Sequence, residues 1–277
     1  MQKNTRRAMA GWILAATAAL AGCGGSSGTK PSGHIRAVDV ATNTVDPSNN
    51  NDDGSVLVNG ASSTIESHYG VASPYLYVEA GNSSFQGTAT TLALPSYSVT
   101  TNGATTTTAA TAPLTTKNLS DGQVYTAYLI GRRDVANPLN ADFSDLDNLH
   151  FLNVIVLQDN QAAPPSGDAN VRVLVAGPDV PAVDIHVDNS VPSALTNLKY
   201  DPAGTATSDV NVPAGAATFS VNATGTSNVI VPTQTLTLVA GKSYTLVVTE
   251  PTGAAVTGVT PATPPVVTTY GLALVPN

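Results

Sequence analysis

The side chains able to carry metal, acid–base or nucleophilic chemistry are few in kind: four histidines, nineteen acidic residues and one cysteine in 277 residues. His34, His68, His150 and His186 stand far apart, and none lies three or four residues from another histidine or from the cysteine, as a metal-ligand signature requires. His186 sits between Asp184 and Asp188, which would place two carboxylates beside an imidazole on one strand face. The same three residues alternate with Val183, Ile185 and Val187, so they also read as the solvent side of a strand whose other side is apolar, and the period favours that reading. No Gly-x-Ser-x-Gly elbow is placed between a strand and a helix, so nucleophilic catalysis has no visible apparatus. Asn49-x-Asn51-x-Asp53-Gly54 has the alternating oxygen ligands and the glycine of a calcium loop. It lacks the leading aspartate, and Gly60 stands where a bidentate glutamate would close the site. Asn49, Asn51 and Asp53 are therefore the candidate metal ligands, and calcium is the one cofactor suggested. The acidic run Asp142-Phe143-Ser144-Asp145-Leu146-Asp147 offers a second, looser cluster.

The elements that must hold these residues are strands. In Asn170–Asn189, Val171, Val173 and Val175 alternate with Asn170, Arg172 and Leu174, and a second alternating run covers 183–188. Period two with β-branched residues reads as strand. The intervening Gly177-Pro178-Asp179-Val180-Pro181 cannot continue a ladder and forces a turn or crossover. Downstream come Val210-Asn211-Val212-Pro213-Ala214-Gly215, then Ala217–Val221, then Gly241–Val248. Thr, Ser, Asn, Ala and Val dominate the chain, and no stretch gives a convincing amphipathic helix.

The motifs VRVLVAGPDVPAVDIHVD, VPAG and LVAGKSYTLVV, in that order over roughly 170 to 250, resemble the DUF4397 family of bacterial envelope proteins. The resemblance implies a β-sandwich and an envelope location and supplies no reaction.

The first 22 residues have another purpose. Lys3, Arg6 and Arg7 precede an apolar run from Met9 to Ala21 that is short for a membrane span and has the charge and length of a signal peptide. Leu20-Ala21-Gly22-Cys23 resembles the lipobox of bacterial lipoproteins, which implies acylation of Cys23, removal of 1–22 and anchoring to a membrane by several acyl chains. Gly24, where an aspartate would signal inner-membrane retention, implies the outer membrane in a Gram-negative envelope. Cleavage leaves 255 residues, enough for two domains, with no thiol for disulfide, metal or catalysis. It leaves eight basic against nineteen acidic residues, formally −11, which argues against nucleic acid as a partner.

A weaker copy of the second half precedes it. Ile35-Arg36 aligns with Val171-Arg172, the segment from Pro74 through Phe85 with Ser208 through Phe219, and Leu119–Thr126 with Leu238–Thr245. Asn153–Val156 is set on Leu272–Val275 as a closing strand in each copy. The first copy carries 15 extra residues between Phe85 and Leu119, within the Thr-rich stretch 88–113, read as an extended hairpin or loop. Two copies are too few for a solenoid. The expected organisation is signal peptide 1–22, lipidated Cys23 and flexible tether to 33, a divergent sandwich 34–158, a linker 159–169 and a second sandwich 170–277. The expected fold class is all-β, two tandem β-sandwich domains, Ig-like or transthyretin-like.

Tyr125 and Tyr244, each three residues after a glycine, resemble the tyrosine corner of sandwich domains, with hydroxyls reaching a backbone group. Tyr69, Tyr75, Tyr77 and Phe85 form the densest aromatic group, with Tyr75 and Tyr77 on one strand face. Packing within their own domain is the plain reading, and a sugar-stacking platform is the functional one. The function expected is a non-enzymatic, lipid-anchored envelope protein whose tandem sandwiches act as a spacer and an adhesion or ligand-binding module for a glycan or protein partner. The alternative is an envelope-polysaccharide hydrolase using two loop carboxylates from Glu66, Glu79, Asp142 and Asp145.

Overall fold

The computed structural model describes residues 30–41, 54–60, 63–67, 70–89, 96–101, 104–109, 114–131, 152–177, 180–201, 206–249 and 270–277. Most of them are strand, and the helical element among them is a 3-10 turn at Ser193–Leu195. Every described residue except Lys30 lies in one compact unit, Pro31–Asn277.

The first half comprises β1 (Ser32–Asp39), β2 (Gly54–Val58), β3 (Ser63–Ser67), β4 (Leu76–Glu79), β5 (Gly81–Ala89), β6 (Ser96–Thr101), β7 (Ala104–Ala109), β8 (Leu114–Leu119), β9 (Val124–Ile130) and β10 (Asn153–Gln158). The second comprises β11 (Asp168–Val175), β12 (Val183–Val187), β13 (Val210–Pro213), β14 (Gly215–Ala223), β15 (Val229–Leu238), β16 (Ser243–Thr249) and β17 (Gly271–Pro276). Each half is two sheets: β10-β9-β1-β4 with β3-β2-β5-β8, and β17-β16-β11-β13 with β12-β14-β15. The strand plan is the same in both, β3 and the separate pair β6-β7 being extra in the first. In an immunoglobulin sandwich the first two strands share a sheet. Here β1 and β2, like β11 and β12, lie in opposite sheets, which leaves the transthyretin-like order of the two alternatives. All pairings are antiparallel except β1 with β9 and β11 with β16. The Thr-rich insertion contains the antiparallel pair β6 and β7, so it is a hairpin.

One glycine in each half changes sheets. Gly81 (φ +123°) and Gly215 (φ +120°) end the short edge strands β4 and β13 and begin β5 and β14 in the facing sheet. A side chain is rarely tolerated at such φ, so glycine is what lets the chain step between layers without a longer loop.

Registers fix the equivalences. His34 pairs with Val124 as Asn170 pairs with Ser243, and Tyr77 with His34 as Asn211 with Asn170. The closing strands depart by one residue from the sequence alignment. Leu129 pairs with Val154, and its counterpart Val248 pairs with Leu272, not Ala273. The reason is period two: a one-residue slip would turn Val154, in the core of the first half, and Leu272, packed on the core of the second, to the opposite face.

Each sandwich has its own core. Ile35, Val56, Phe85, Tyr125 and Leu129 centre the first, and Val171, Ile185, Phe219, Val221 and Leu246 the second. A third core joins them, formed by Val38, Val40, Tyr128, Ile130, Ile155 and Leu157 from the first half and Leu174, Ala176, Val247 and Val275 from the second. The inner sheets are thus covered on both faces, which is why β9, β10, β11 and β16 are buried at nearly every position. Leu174→Ala in the intact chain is expected to lower stability by about 2–5 kcal/mol, the range for truncating a buried leucine. In the fragment 167–277, where that face has lost its cover, the same change should have much less effect. Equal denaturant-melt losses in both would contradict the third core.

Candidate functional site

At one end the apolar third core gives way to charge. Arg36 on β1 and Arg172 on β11 point off their inner sheets into the junction, with side chains 9% and 7% exposed, and Asp159 just after β10 is 3% exposed. Two arginines cannot be buried so closely without an anion and a full set of acceptors. Arg172 donates from Nη2 to Asp159 Oδ1 at 2.9 Å, from Nε to Thr245 Oγ1 at 2.8 Å, and from Nη1 to the Gln158 carbonyl. Arg36 donates from Nε to Thr126 Oγ1 at 3.0 Å and from Nη2 to the Pro276 carbonyl, with Asp159 Oδ2 at 3.8 Å. Each guanidinium therefore reaches the closing strand of the other half. Thr126 Oγ1 donates to Asp159 Oδ2 at 2.7 Å, and in the mirrored place Thr245 Oγ1 donates to Asn277 Oδ1 at 3.0 Å. The network is two-fold in plan with one asymmetry, a carboxylate in the first half and an amide in the second. Tyr128 lies on this face, and its phenol is pushed upward by burial, the Arg172 charge opposing.

Beside this network is a cleft of about 300 Å³ between the halves. Tyr75 and Val124 line it from the first half, Lys242 and Asn277 from the second, and Gln161 and Ala162 from the connection between them. Asp159 is the carboxylate among the lining residues, and both its oxygens are engaged as above. The Tyr75 ring is held by the Arg36 guanidinium, 5.1 Å from its centroid, and burial raises its phenol pKa, with the Arg36 charge opposing. One residue pair further out, the His34 ring meets Tyr77 edge-on at 4.4 Å.

The residues singled out in the sequence are dispersed. Cys23, Asn49, Asn51, Asp53, His68, Tyr69, Asp142, Asp145, Asp147 and His150 lie outside the described residues. Glu66 and Glu79 are exposed on β3 and β4, in opposite sheets. Among the described residues no three His, Cys, Asp or Glu side chains gather as a metal site. Asp184, His186 and Asp188 do occupy the outer face of β12, but both carboxylates are bound to backbone. Asp184 accepts from Asn197 N, Gly225 N and Thr224 Oγ1, and Asp188 accepts from the Thr218 amide and hydroxyl. Asp188 and Asn189, at φ 48° and 65°, make the tight turn that pairs Val187 with Ser190. Tyr125 and Tyr244 meet the tyrosine-corner expectation, accepting from the amides of Ser120 and Val239 at 2.8 and 3.0 Å. Of the aromatic group, Phe85 is core, whereas Tyr75 and Tyr77 are 41% and 70% exposed, so the plain expectation of inward packing does not hold for those two. The Arg36–Asp159–Arg172 cluster was not foreseen. Its signal was present: an arginine at the same place in two strands, between Ile35 and Ala37 in one and between Val171 and Val173 in the other.

Two outcomes follow. Asp159→Asn should destabilise the chain by about 3–5 kcal/mol, the loss typical when one member of a buried ion pair is removed, and a melt within 1 kcal/mol of the parent would refute the staple. Asp184 has its pKa lowered from 3.8, chiefly by the Asn197 amide, so its stabilisation is present above the unfolded value and lost as pH falls through the folded one. Asp184→Asn should therefore flatten the acid limb of the stability curve below pH 3.8.

No curated protein matches the chain. Residues 169–269, which run from β11 past β16, match the family model described as a domain of unknown function, DUF4397. The match covers the second sandwich short of its closing strand β17.

Proposed function

We propose that this is a non-enzymatic, lipid-anchored protein of the cell envelope, in which the first sandwich is a divergent second copy of the DUF4397 domain and the fused pair is a stiff spacer presenting a ligand-binding surface. The observation that carries this is the joint. Ten buried apolar residues and a shared ion cluster hold the two halves together, where a flexible connection would suffice for two domains acting independently. A rigid tandem unit suits standing off a membrane and offering a composite surface to a partner. The shared strand plan and the matching arginine, threonine and tyrosine contacts support a common origin of the halves. The engagement of Asp159 by Arg172 and Thr126 supports binding over hydrolysis, because a glycosidase needs its carboxylates aimed at substrate. The anchor rests on the lipobox-like Leu20-Ala21-Gly22-Cys23, with outer-membrane sorting the expectation in a Gram-negative host.

Cells fed labelled fatty acid should incorporate it into the protein, and Cys23→Ser should abolish the label and leave a precursor or a released form. An unlabelled wild type would refute the anchor. The protein screened against envelope glycans and proteins should bind without turnover, and turnover abolished by a single carboxylate substitution would overturn the non-enzymatic reading.

A further inference from the structure

We infer that the cleft between the halves is a saccharide-binding site in which Tyr75 and Tyr77 form the stacking surface; the inference rests on the binding-module reading above and names its ligand class. The halves serve as each other's control. Tyr77 is the register counterpart of Asn211, each pairing with the polar residue two before the arginine of the first strand, His34 or Asn170. Tyr75, two residues earlier, corresponds in the same register to Asp209. The second half builds the same sheet and the same arginine contacts with polar residues at both places, so the fold does not require tyrosine there. Yet the first half keeps Tyr75, a wall of the cleft, 41% exposed, and Tyr77, two residues further along the same face and outside the cleft lining, 70% exposed. Exposed aromatic area of this kind, on a surface that has no need of it for packing, marks a contact site.

The chemistry around the rings selects the class. Each ring is held in place, Tyr75 by the Arg36 guanidinium and Tyr77 by His34, so little side-chain freedom is lost on binding. A pyranose has one face of C–H groups that lies against an aromatic face and a rim of hydroxyls that need hydrogen bonds. The cleft supplies the second set from Gln161 and Lys242, exposed side chains whose amide and ammonium are not committed to the internal network, beside the small apolar Ala162. Its volume, about 300 Å³, is at the lower bound of small-molecule sites and suits one or two sugar rings of a longer chain entering from solvent. An apolar peptide anchor would leave Gln161 and Lys242 without partners, and a purely ionic ligand would make no use of the rings.

The test is titration of the full-length protein with defined neutral and acidic oligosaccharides, read by calorimetry and by the ring signals of isotopically labelled tyrosine. At least one oligosaccharide should bind and shift the Tyr75 and Tyr77 signals. Tyr77→Ala should weaken it roughly tenfold with the melting temperature unchanged, Tyr75→Ala should weaken it as much with the fold retained although its contact with Arg36 is lost, and Asn211→Ala, at the counterpart position, should not weaken it. Selective binding of acidic sugars, weakened by Lys242→Gln, would identify the charged member of the class. Glycan binding indifferent to both tyrosine substitutions would overturn the site and leave the module reading standing. Capture of a protein partner with no glycan bound would overturn the saccharide class alone. Glycan turnover would overturn the module reading itself.

Discussion

Two guanidinium groups share one buried carboxylate at the junction of the two sandwiches, and the arrangement of everything around them follows from satisfying those charges. Apolar burial between the inner sheets supplies attraction but no direction, since Val, Leu and Ile faces slide over one another at small cost. Ion pairs and hydrogen bonds have fixed partners. Because Arg36 must reach the Pro276 carbonyl and Arg172 the Gln158 carbonyl, the halves are pinned in both translation and rotation. A buried ion cluster adds little net stability compared with a well-packed apolar one, but it penalises every misaligned docking by the full desolvation of whichever charge is left unpaired.

The near two-fold plan of this junction explains which residues are held alike in both halves and which are free to differ. Arginine, threonine and tyrosine recur at matched positions because each has a matched backbone or side-chain partner. Even the hydroxyl that receives the third-strand-facing amide recurs, Ser73 for Ala37 and Thr207 for Val173. One carboxylate suffices for the two cations, so its counterpart is an amide. At the edge strands the partners differ, Arg36 against the Tyr75 ring in one half and Asn160 donating to Asp209 in the other, and there the halves diverge from Asp209 and Asn211 to Tyr75 and Tyr77.

Much of the fold was legible because strands advertise themselves by alternation. Val183, Ile185 and Val187 face the core as their period requires, and Asp184, His186 and Asp188 face outward. The same rule was silent on the docking of the halves. In β10 and β16 the runs Val154-Ile155-Val156-Leu157 and Leu246-Val247-Val248 abandon alternation, the mark of a sheet covered on both faces, and that mark predicts a third layer contact without naming its partner. Strand order was not legible either, since it depends on which runs pair, and the one-residue slip in the closing strands shows how a gap-free alignment overrides the alternation that should have corrected it. The candidate site was the least legible part. Tyr75 and Tyr77 could be placed on one face, but whether that face looks inward depends on the sheet it joins.

The same dependence explains why a site arises at this junction rather than within either sandwich. Each half has its own core, with Phe85 buried in one and Phe219 in the other, and a packed sandwich offers ligands chiefly its loops. Two sandwiches docked through their inner sheets meet along curved, twisted surfaces that cannot stay in contact to the edge. Where they part, a wedge opens whose floor is already polar because the arginines end the apolar core there. Residues lining such a wedge come from both halves and from the connection, so Tyr75, Lys242 and Gln161 are brought together only by the docking itself. Binding geometry in the cleft is then as fixed as the joint, and the staple at Asp159 is what keeps the two walls at constant separation.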